Sequence, residues 1–176
     1  MVFPGCEREP AREAPGKPTM EIRLSSTAFA GGQAMPVQYT GDGRNISPPL
    51  AWSGLPEGTE QLALIVDDPD APRPKPWVHW VVYRIPATAT GLDEAVAPGP
   101  GIPGLGGAMQ GKNTSGSVGY RGPAPPKGHG IHHYHFKLYA LDAELDLPAG
   151  ADKETLLAAM EGHILGRGDL VGTYQR

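Results

Sequence analysis

The chain has 176 residues, a length typical of one domain, and its formal net charge of −4 excludes the basic footprint of a nucleic-acid-binding protein. No apolar run approaches the ~18 residues of a transmembrane helix. The single cysteine, Cys6, excludes an internal disulfide framework and a Cys-rich metal site. The 25 glycines and 20 prolines concentrate between Pro98 and Gly130, which predicts a folded domain with long, stiff loops.

The first 19 residues differ in composition from the rest of the chain. They carry four prolines and several charged side chains. They contain no apolar stretch of about 7–15 residues, which a secretory signal peptide requires. We therefore predict a flexible tail over residues 1–19, a single domain over residues 20–176, and a cytoplasmic location.

Apolar and β-branched runs predict six strands in the domain. In chain order these predicted strands cover residues 21–29, 35–39, 61–66, 77–85, 131–141 and 169–174. The run over residues 61–66 is almost continuously apolar, which indicates a central strand that is covered on both faces. Between residues 87 and 119 the sequence predicts a long loop rich in glycine and proline, and such loops are often functional.

One helix is predicted, over residues 152–165. Asp152 is a suitable N-cap, and Leu156, Met160 and Ile164 recur on one face. Gly166 is a suitable residue to end the helix. Six strands beside one or two short helices predict a mainly β fold, a sandwich of short strands.

The first candidate site follows the predicted central strand, where the sequence reads Asp67-Asp-Pro-Asp-Ala-Pro72. Prolines hold such a turn rigid, so its carboxylates would bind a ligand or a metal from fixed positions. Turn chemistry, in which aspartates cap their own backbone, also explains the same residues.

Histidines lie on two other predicted strands. Alternation of side chains places His79 on one face with Trp77, Val81 and Tyr83. On the later strand it places His132 and Tyr134 on the inward, apolar face.

Alternation also directs His133 and His135 outward. Asp68 or Asp70 would therefore meet His79, His132 and Tyr134 at one mouth. Imidazole and phenol donors suit an oxyanion such as phosphate or carboxylate.

Two other chemistries use the same residue types. Histidine with carboxylate is also a metal-ligand set, but the histidines point to different faces. A His–Asp hydrolase would need a nucleophile, and the chain has no Gly-x-Ser-x-Gly elbow.

Three motifs occur in an order that is highly specific. They are Asp68-Pro-Asp-Ala-Pro72, Trp77-x-His79, and Gly122-Pro-x-Pro-Pro-x-Gly128 followed by His132-x-Tyr134. With these motifs the chain resembles, over about residues 20–175, the phosphatidylethanolamine-binding protein family. These proteins are also called Raf kinase inhibitor-like proteins, and the chain is most similar to their bacterial YbhB/YbcL-type branch.

The resemblance implies an antiparallel β-sandwich with a small anion pocket for phosphate or a phosphoester or phospholipid head group. The polar pocket residues that it implies are Asp68, His79, His132 and Tyr134. The other ligand-binding residues that it implies are Asp70, Ala71, Pro72, Trp77, Gly122, Pro123, Ala124 and Pro125.

From these residues and the resemblance together we expect a non-enzymatic binding protein without a cofactor or a metal. Its expected partner is a small anionic ligand, with no nucleic acid and no transmembrane segment. An inhibitor of a protein kinase or a serine protease, or a weak His/Asp hydrolase, is the alternative. A homodimer is compatible with apolar surface near the Gly/Pro loops.

Overall fold

The computed structural model describes residues 20–176, so the predicted tail over residues 1–19 lies outside the described residues. Within residues 20–176, nine strands form two sheets beside one α-helix and one turn of 3-10 helix at Val37–Tyr39. The strands are β1 (Met20–Glu21), β2 (Arg23–Ser25), β3 (Leu50–Ser53), β4 (Gln61–Asp68), β5 (Trp77–Pro86), β6 (Gly91–Leu92), β7 (Met109–Gln110), β8 (His132–Leu141) and β9 (Ile164–Tyr174). The helix, α1, spans Lys153–Met160.

The larger sheet has the order β1-β9-β8-β4-β5-β7, and the smaller sheet has the order β2-β3-β6. Neighbouring strands are antiparallel except for β1, which runs parallel to β9. The predicted mainly β, antiparallel arrangement with little helix is therefore confirmed. The described residues, 20–176, contain no helix that could span a lipid bilayer.

Strand β4 is the centre of the larger sheet and is buried on both faces, as its apolar run predicts. Leu62, Leu64 and Val66 pack into the core between the two sheets. Ala63 and Ile65 face the opposite side, where α1 covers the sheet with Leu156 and Met160.

The helix is shorter than predicted. Asp152 caps it as expected, because its carboxylate accepts the backbone N–H of Thr155 at 2.9 Å. The helix ends at Met160, and Gly162 has a φ of +82°, which a right-handed helix does not contain. Ile164 begins β9 but still packs against the cluster that α1 covers.

Two of the predicted strands are wrong in part. Residues 35–39 are not a strand, because Pro36 cannot donate a ladder hydrogen bond and Val37–Tyr39 turn into a 3-10 helix. The first strand, predicted for residues 21–29, is two short strands that join different sheets.

The last strand is longer than predicted and runs back to Ile164 through Gly166 and Gly168. These glycines permit close packing, because a Cβ at Gly168 would stand 2.6 Å from the carbonyl oxygen of Ile22.

The long Gly/Pro-rich segment after β5 is fixed to the core through a buried glutamine. The Gln110 side chain accepts the indole N–H of Trp80 at 2.8 Å. Its amide nitrogen donates to the carbonyl oxygens of Ala97 and Gly99, each at 2.8 Å. The loop therefore has a defined path over the core, and it leads into residues 120–126 beside the candidate site.

Candidate functional site

The three central strands of the larger sheet meet at one cavity of about 260 Å³. Because β4 is antiparallel to both β5 and β8, its last residue lies beside the first residues of those two strands. The turn after β4 and the loop before β8 complete the walls. The lining residues are Asp68, Ala71, Pro72, Arg73, Trp77, His79, Arg121, Gly122, Ala124, Pro125, Pro126, His132 and Tyr134.

Asp68 and His132 form a buried pair in this cavity. The imidazole donates its Nδ1–H to the Asp68 Oδ2 at 2.7 Å, and the two side chains are 1% and 5% exposed. The other Asp68 oxygen accepts the backbone N–H of Asp70 at 2.8 Å, which closes a tight Asx turn at the end of β4. Asp68 thus takes part both in the turn and in the polar cavity, the two roles that its sequence motif allows.

His129 extends this pair towards the solvent. Its Nδ1 lies 2.7 Å from His132 Nε2, so both ring nitrogens of His132 have protein partners. The two rings are tilted, with centroids 5.0 Å apart. His129 is not among the predicted site residues, and its position three residues before His132 is the only sequence signal for it.

His79 lies at a β-bulge, and the predicted alternation along β5 is wrong there. The pairing with β4 steps from Trp80 opposite Val66 to Val78 opposite Asp67, which leaves His79 as the extra residue. Consequently Trp80 packs into the core between the sheets, while Val78 packs with the residues on the other face. The bulge turns the His79 ring into the cavity.

The His79 ring is fixed by the loop and not by an aspartate. His79 Nδ1 lies 2.6 Å from the carbonyl oxygen of Arg121, and the backbone N–H of Arg121 donates to the His79 carbonyl at 2.9 Å. A carbonyl oxygen only accepts, so Nδ1 carries the proton. Asp68 therefore orients the imidazole of His132 and not that of His79.

Burial lowers the pKa of the His79 imidazole to about 4 and outweighs the hydrogen bond to Arg121, which raises it. The ring is neutral near pH 7, and its Nε2 is then a hydrogen-bond acceptor. The expectation that His79 donates to a ligand is wrong for this tautomer.

Tyr134 supplies the hydroxyl of the cavity. Its ring is 1% exposed and lies edge-on to His79, with centroids 5.1 Å apart, and nearly parallel to His132 at 6.4 Å. Among the buried side-chain polar atoms of residues 20–176, the Tyr134 hydroxyl is the one without a hydrogen-bond partner. Burial, and then the charge of Asp68, raise the pKa of the phenol, so the hydroxyl keeps its proton.

Two arginines that the sequence analysis missed lie along the cavity. The Arg73 guanidinium stacks over the Trp77 ring, 4.9 Å from its centroid. Arg121 immediately precedes the Gly122 motif. Arg73 follows the predicted wall residue Pro72, and Arg121 precedes the predicted wall residue Gly122. This adjacency is the only sequence signal that places them at the cavity.

Two predicted site residues lie outside the lining. Asp70 turns to the polar face of the sheet, where it accepts the backbone N–H and the Nδ1–H of His133 at 2.8 and 2.7 Å. Pro123 is buried behind the wall, and its carbonyl accepts the N–H of Gly41. The other ten residues of the predicted set line the cavity, and Pro126 is an addition to them.

Gly122 sets the position of the loop wall. Its N–H donates to the side chain of Asn45 at 2.7 Å. A Cβ at this position would stand 2.6 Å from the carbonyl oxygen of Tyr39 and 2.7 Å from the carbonyl carbon of Thr40. Only glycine permits this approach of two backbones.

A second, larger cavity of about 480 Å³ lies between residues 73–76 and the start of α1. Lysines and carboxylates line it together, and the exposed Lys75 and Glu154 side chains pair at 3.3 Å. It contains no buried polar atom without a partner among residues 20–176. The smaller cavity is therefore the candidate site, and no group of three or more His, Cys, Asp or Glu in the described part of the chain could hold a metal ion.

Two packed, mainly antiparallel sheets, with imidazoles, a phenol and a carboxylate at the end of the larger one, define a β-sandwich protein with a polar pocket. The family model described as phosphatidylethanolamine-binding protein matches residues 25–175, so the chain belongs to that family.

Relatives and solved structures agree with this assignment. A UPF0098 protein of Methanothermobacter thermautotrophicus is 52% identical over 88% of this chain and 99% of its own. The crystal structure of CT736 from Chlamydia trachomatis, described as a putative phosphatidylethanolamine-binding protein homologue, has a TM-score of 0.80 with this chain. It is 40% identical and covers 90% of this chain and 99% of that one. E. coli YbcL has a TM-score of 0.82 and is 34% identical, over 88% of this chain and 98% of that one.

Proposed function

We propose that this protein binds, without turnover, a small oxyanion in the cavity around Tyr134. The anion would be inorganic phosphate or the phosphoryl group of a phosphoester or phospholipid head. The Tyr134 hydroxyl carries the proposal, because a buried donor without a partner costs about 1–3 kcal/mol and an anionic oxygen would satisfy it.

The charge around the cavity supports an anion at its mouth. Two arginines, Arg73 and Arg121, line the cavity, and a guanidinium group pairs with phosphate oxygens more readily than an ammonium does. The Asp68 carboxylate is the opposing negative charge. It accepts hydrogen bonds from His132 and from the Asp70 N–H. An anion would therefore meet positive charge first and the phenol deeper in the cavity.

The size of the cavity supports a small ligand or a head group. Its volume of about 260 Å³ is below the ~300–1,000 Å³ typical of pockets for drug-sized molecules. Proline walls at Pro72, Pro125 and Pro126 keep the site rigid, which reduces the entropy lost on binding.

A phosphate titration followed by NMR tests the proposal. We expect the ring signals of His79 and His132 to shift in a saturable manner. The rings of His133 and His163 serve as internal controls, because they pair with the exposed Asp70 and with Asp142 away from the cavity. A response from the control rings alone would reject the site.

Tyr134→Phe gives a sharper test. The variant removes the proposed donor and also the unsatisfied hydroxyl, so it should fold at least as stably as the wild type. Phosphate affinity should fall by about 1.5–3 kcal/mol, the range for a hydrogen bond to a charged group. Tyr174→Phe is the matched control, because that hydroxyl donates to Asp42 outside the cavity lining.

Hydrolysis is the second candidate, since the Asp68–His132 pair has the geometry of a carboxylate that orients a general base. No serine or cysteine occurs among the lining residues, and His129 occupies the other nitrogen of His132. A panel of phosphate monoesters, diesters and carboxylic esters tests it. Turnover that His132→Ala abolishes would replace binding with hydrolysis.

Regulation of a kinase or a serine protease is an alternative that the family resemblance supplies. Cytoplasmic location and a homodimer stay predictions of the sequence. A pull-down and a sedimentation measurement on the full chain would test the partner and the dimer, respectively.

A further inference from the structure

We propose that the cavity selects an oxyanion that keeps at least one P–OH proton over an oxyanion that carries none. The preferred ligand class would be inorganic phosphate, whose monoanion and dianion both keep a P–OH, or the monoanion of a phosphate monoester. Sulfate and phosphodiesters, phospholipid head groups among them, have no proton to donate and would bind less well. This inference rests on the proposed anion-binding function and specifies the protonation state of its ligand.

The argument begins with the orientation of the His79 ring. Its Nδ1–H is committed to the Arg121 carbonyl at 2.6 Å, and the return hydrogen bond from the Arg121 N–H fixes the same loop against β5. The remaining nitrogen, Nε2, has no partner among residues 20–176, and the ring lines the cavity. With one proton on the ring, Nε2 offers only a lone pair to a ligand.

The neighbours of His79 determine whether the ring gains a second proton. The titratable and charged groups that line the cavity with it are Asp68 from β4, His132 and Tyr134 from β8, and Arg73 and Arg121 from the loops. The charge of Asp67 on β4 also acts on the ring. Burial keeps the pKa of His79 near 4 in spite of Asp68, so the lone pair is present at neutral pH.

Among the imidazole, phenol and carboxylate groups of the cavity, one donor is left without a protein partner. Both nitrogens of His132 are engaged, by Asp68 and by His129. Asp68 contributes only acceptor oxygens. The Tyr134 hydroxyl is therefore the buried donor that shares the cavity with the acceptor of His79, and the two ring centroids are 5.1 Å apart.

A donor opposite an acceptor fits a ligand that has the complementary pair. A protonated phosphate can accept from Tyr134 through P–O⁻ and donate to His79 through P–OH. A fully ionised anion places bare oxygen against the His79 lone pair and near the Asp68 carboxylate. Specificity arises from this repulsive contact as much as from the attractive one.

The test compares inorganic phosphate, sulfate and dimethyl phosphate by calorimetry with the wild-type protein, across pH 5.5 to about 8.5. We expect phosphate to bind at least about tenfold more tightly than sulfate or dimethyl phosphate at pH 6. The affinity of a phosphate monoester should decline as pH rises through its second ionisation, which removes its last proton, whereas the inorganic phosphate dianion keeps a P–OH and should lose less affinity. Equal affinity for all three anions would overturn the selection and leave the anion site standing, whereas binding by none would reject the proposed function itself.

A second series separates titration of the ligand from titration of the protein. Phenyl phosphate and methylphosphonate lose their last proton at different pH, the phosphonate at the higher one. If the cavity selects the protonated ligand, the affinity for phenyl phosphate should fall at a lower pH than the affinity for methylphosphonate. A common midpoint for both ligands would assign the pH dependence to a protein group and overturn the proposal.

His79→Gln tests the residue. A carboxamide can donate where the imidazole accepts, so sulfate affinity should rise by about tenfold towards that of phosphate. His133→Gln, on the exposed face, should leave the preference unchanged. If a folded His79→Gln protein still preferred phosphate over sulfate as strongly as the wild type, the preference would not come from His79, and the proposal would be contradicted.

Discussion

His132 donates its Nδ1–H to Asp68 at 2.7 Å, between two strands whose residues are 64 positions apart in sequence. The pair joins the end of β4 to the start of β8 and fixes one imidazole of the cavity. Because both side chains are almost fully buried, solvent cannot replace either partner. The strength of the cavity wall therefore depends on this contact.

Asp68→Asn should destabilise the protein by about 1–3 kcal/mol, since one of the two positions that now accept an N–H would become a donor. Urea denaturation at pH 7 measures this free energy of unfolding. Asp70→Asn is the matched control, because Asp70 is 41% exposed and its pair with His133 lies in solvent. That control should change stability by less than about 0.5 kcal/mol, and an equal loss for both variants would contradict a special role for the buried pair.

The buried His79 ring should make stability depend on pH. In the unfolded chain a histidine takes up a proton below about pH 6.5, whereas burial holds the pKa of folded His79 to about 4. The folded state therefore has its full stability above pH 6.5 and loses roughly 3 kcal/mol as the pH falls from 6.5 to 4. Denaturation curves across this range measure the loss.

His79→Gln removes the titrating ring and should flatten the curve by that amount. His133→Gln is the control, since the His133 side chain is 50% exposed. If the wild type and His79→Gln lost stability in parallel between pH 6.5 and 4, the ring would not be the source. An NMR titration of His79 should likewise show no protonation above about pH 5.

The four polar residues of the cavity were predictable because strand periodicity and three motifs indicate them independently. His132 and Tyr134 alternate inward on β8 as expected. For His79 the same rule gave the correct cavity but the wrong neighbours, because a bulge adds one residue to β5. Bulges arise from pairing with another strand, and a single strand's sequence does not contain that information.

The long last strand was predictable only in part. Glycine is depleted in strands, so Gly166 and Gly168 indicated a helix end and a loop. In the structure they lie where Pro56 and Ile22 leave no room for a Cβ. Tertiary packing thus overrides the local preference of these two glycines. The roles of His129 and the two arginines likewise depend on where the loops place them, which the local sequence does not indicate.

Gly122→Ala should displace the loop wall of the cavity. The new Cβ would meet the backbone of Tyr39 and Thr40 at 2.6–2.8 Å, and backbone cannot move aside as a flexible side chain can. We expect a loss of about 1–3 kcal/mol in stability and weaker phosphate binding. Gly101→Ala is the control, because nothing lies within 4 Å of a Cβ there. Denaturation and calorimetry on both variants would show the difference, and equal behaviour would contradict the close approach.

Asp67 holds the opposite face of the sheet through two lysines. The carboxylate is fully buried. It accepts hydrogen bonds from the ammonium groups of Lys137, at 2.8 Å, and of Lys153 on α1. Burial alone would raise the pKa of Asp67, but the two lysines together outweigh it and hold the pKa below its ordinary value. The ion pairs thereby attach the start of α1 to β4.

Asp67→Asn should cost about 3 kcal/mol, the lower end for a broken buried pair, because both lysines still reach solvent. Since the folded pKa is lowered, this stabilisation is present above the unfolded value near 3.8 and is lost as the pH falls below it. Urea denaturation at pH 7 and at pH 3 measures both parts, and the difference between wild type and variant should shrink at the lower pH. Glu154→Gln, which breaks the exposed pair with Lys75, is the control and should have no measurable effect. A pH-independent difference would show that Asp67 acts through packing and not through its charge.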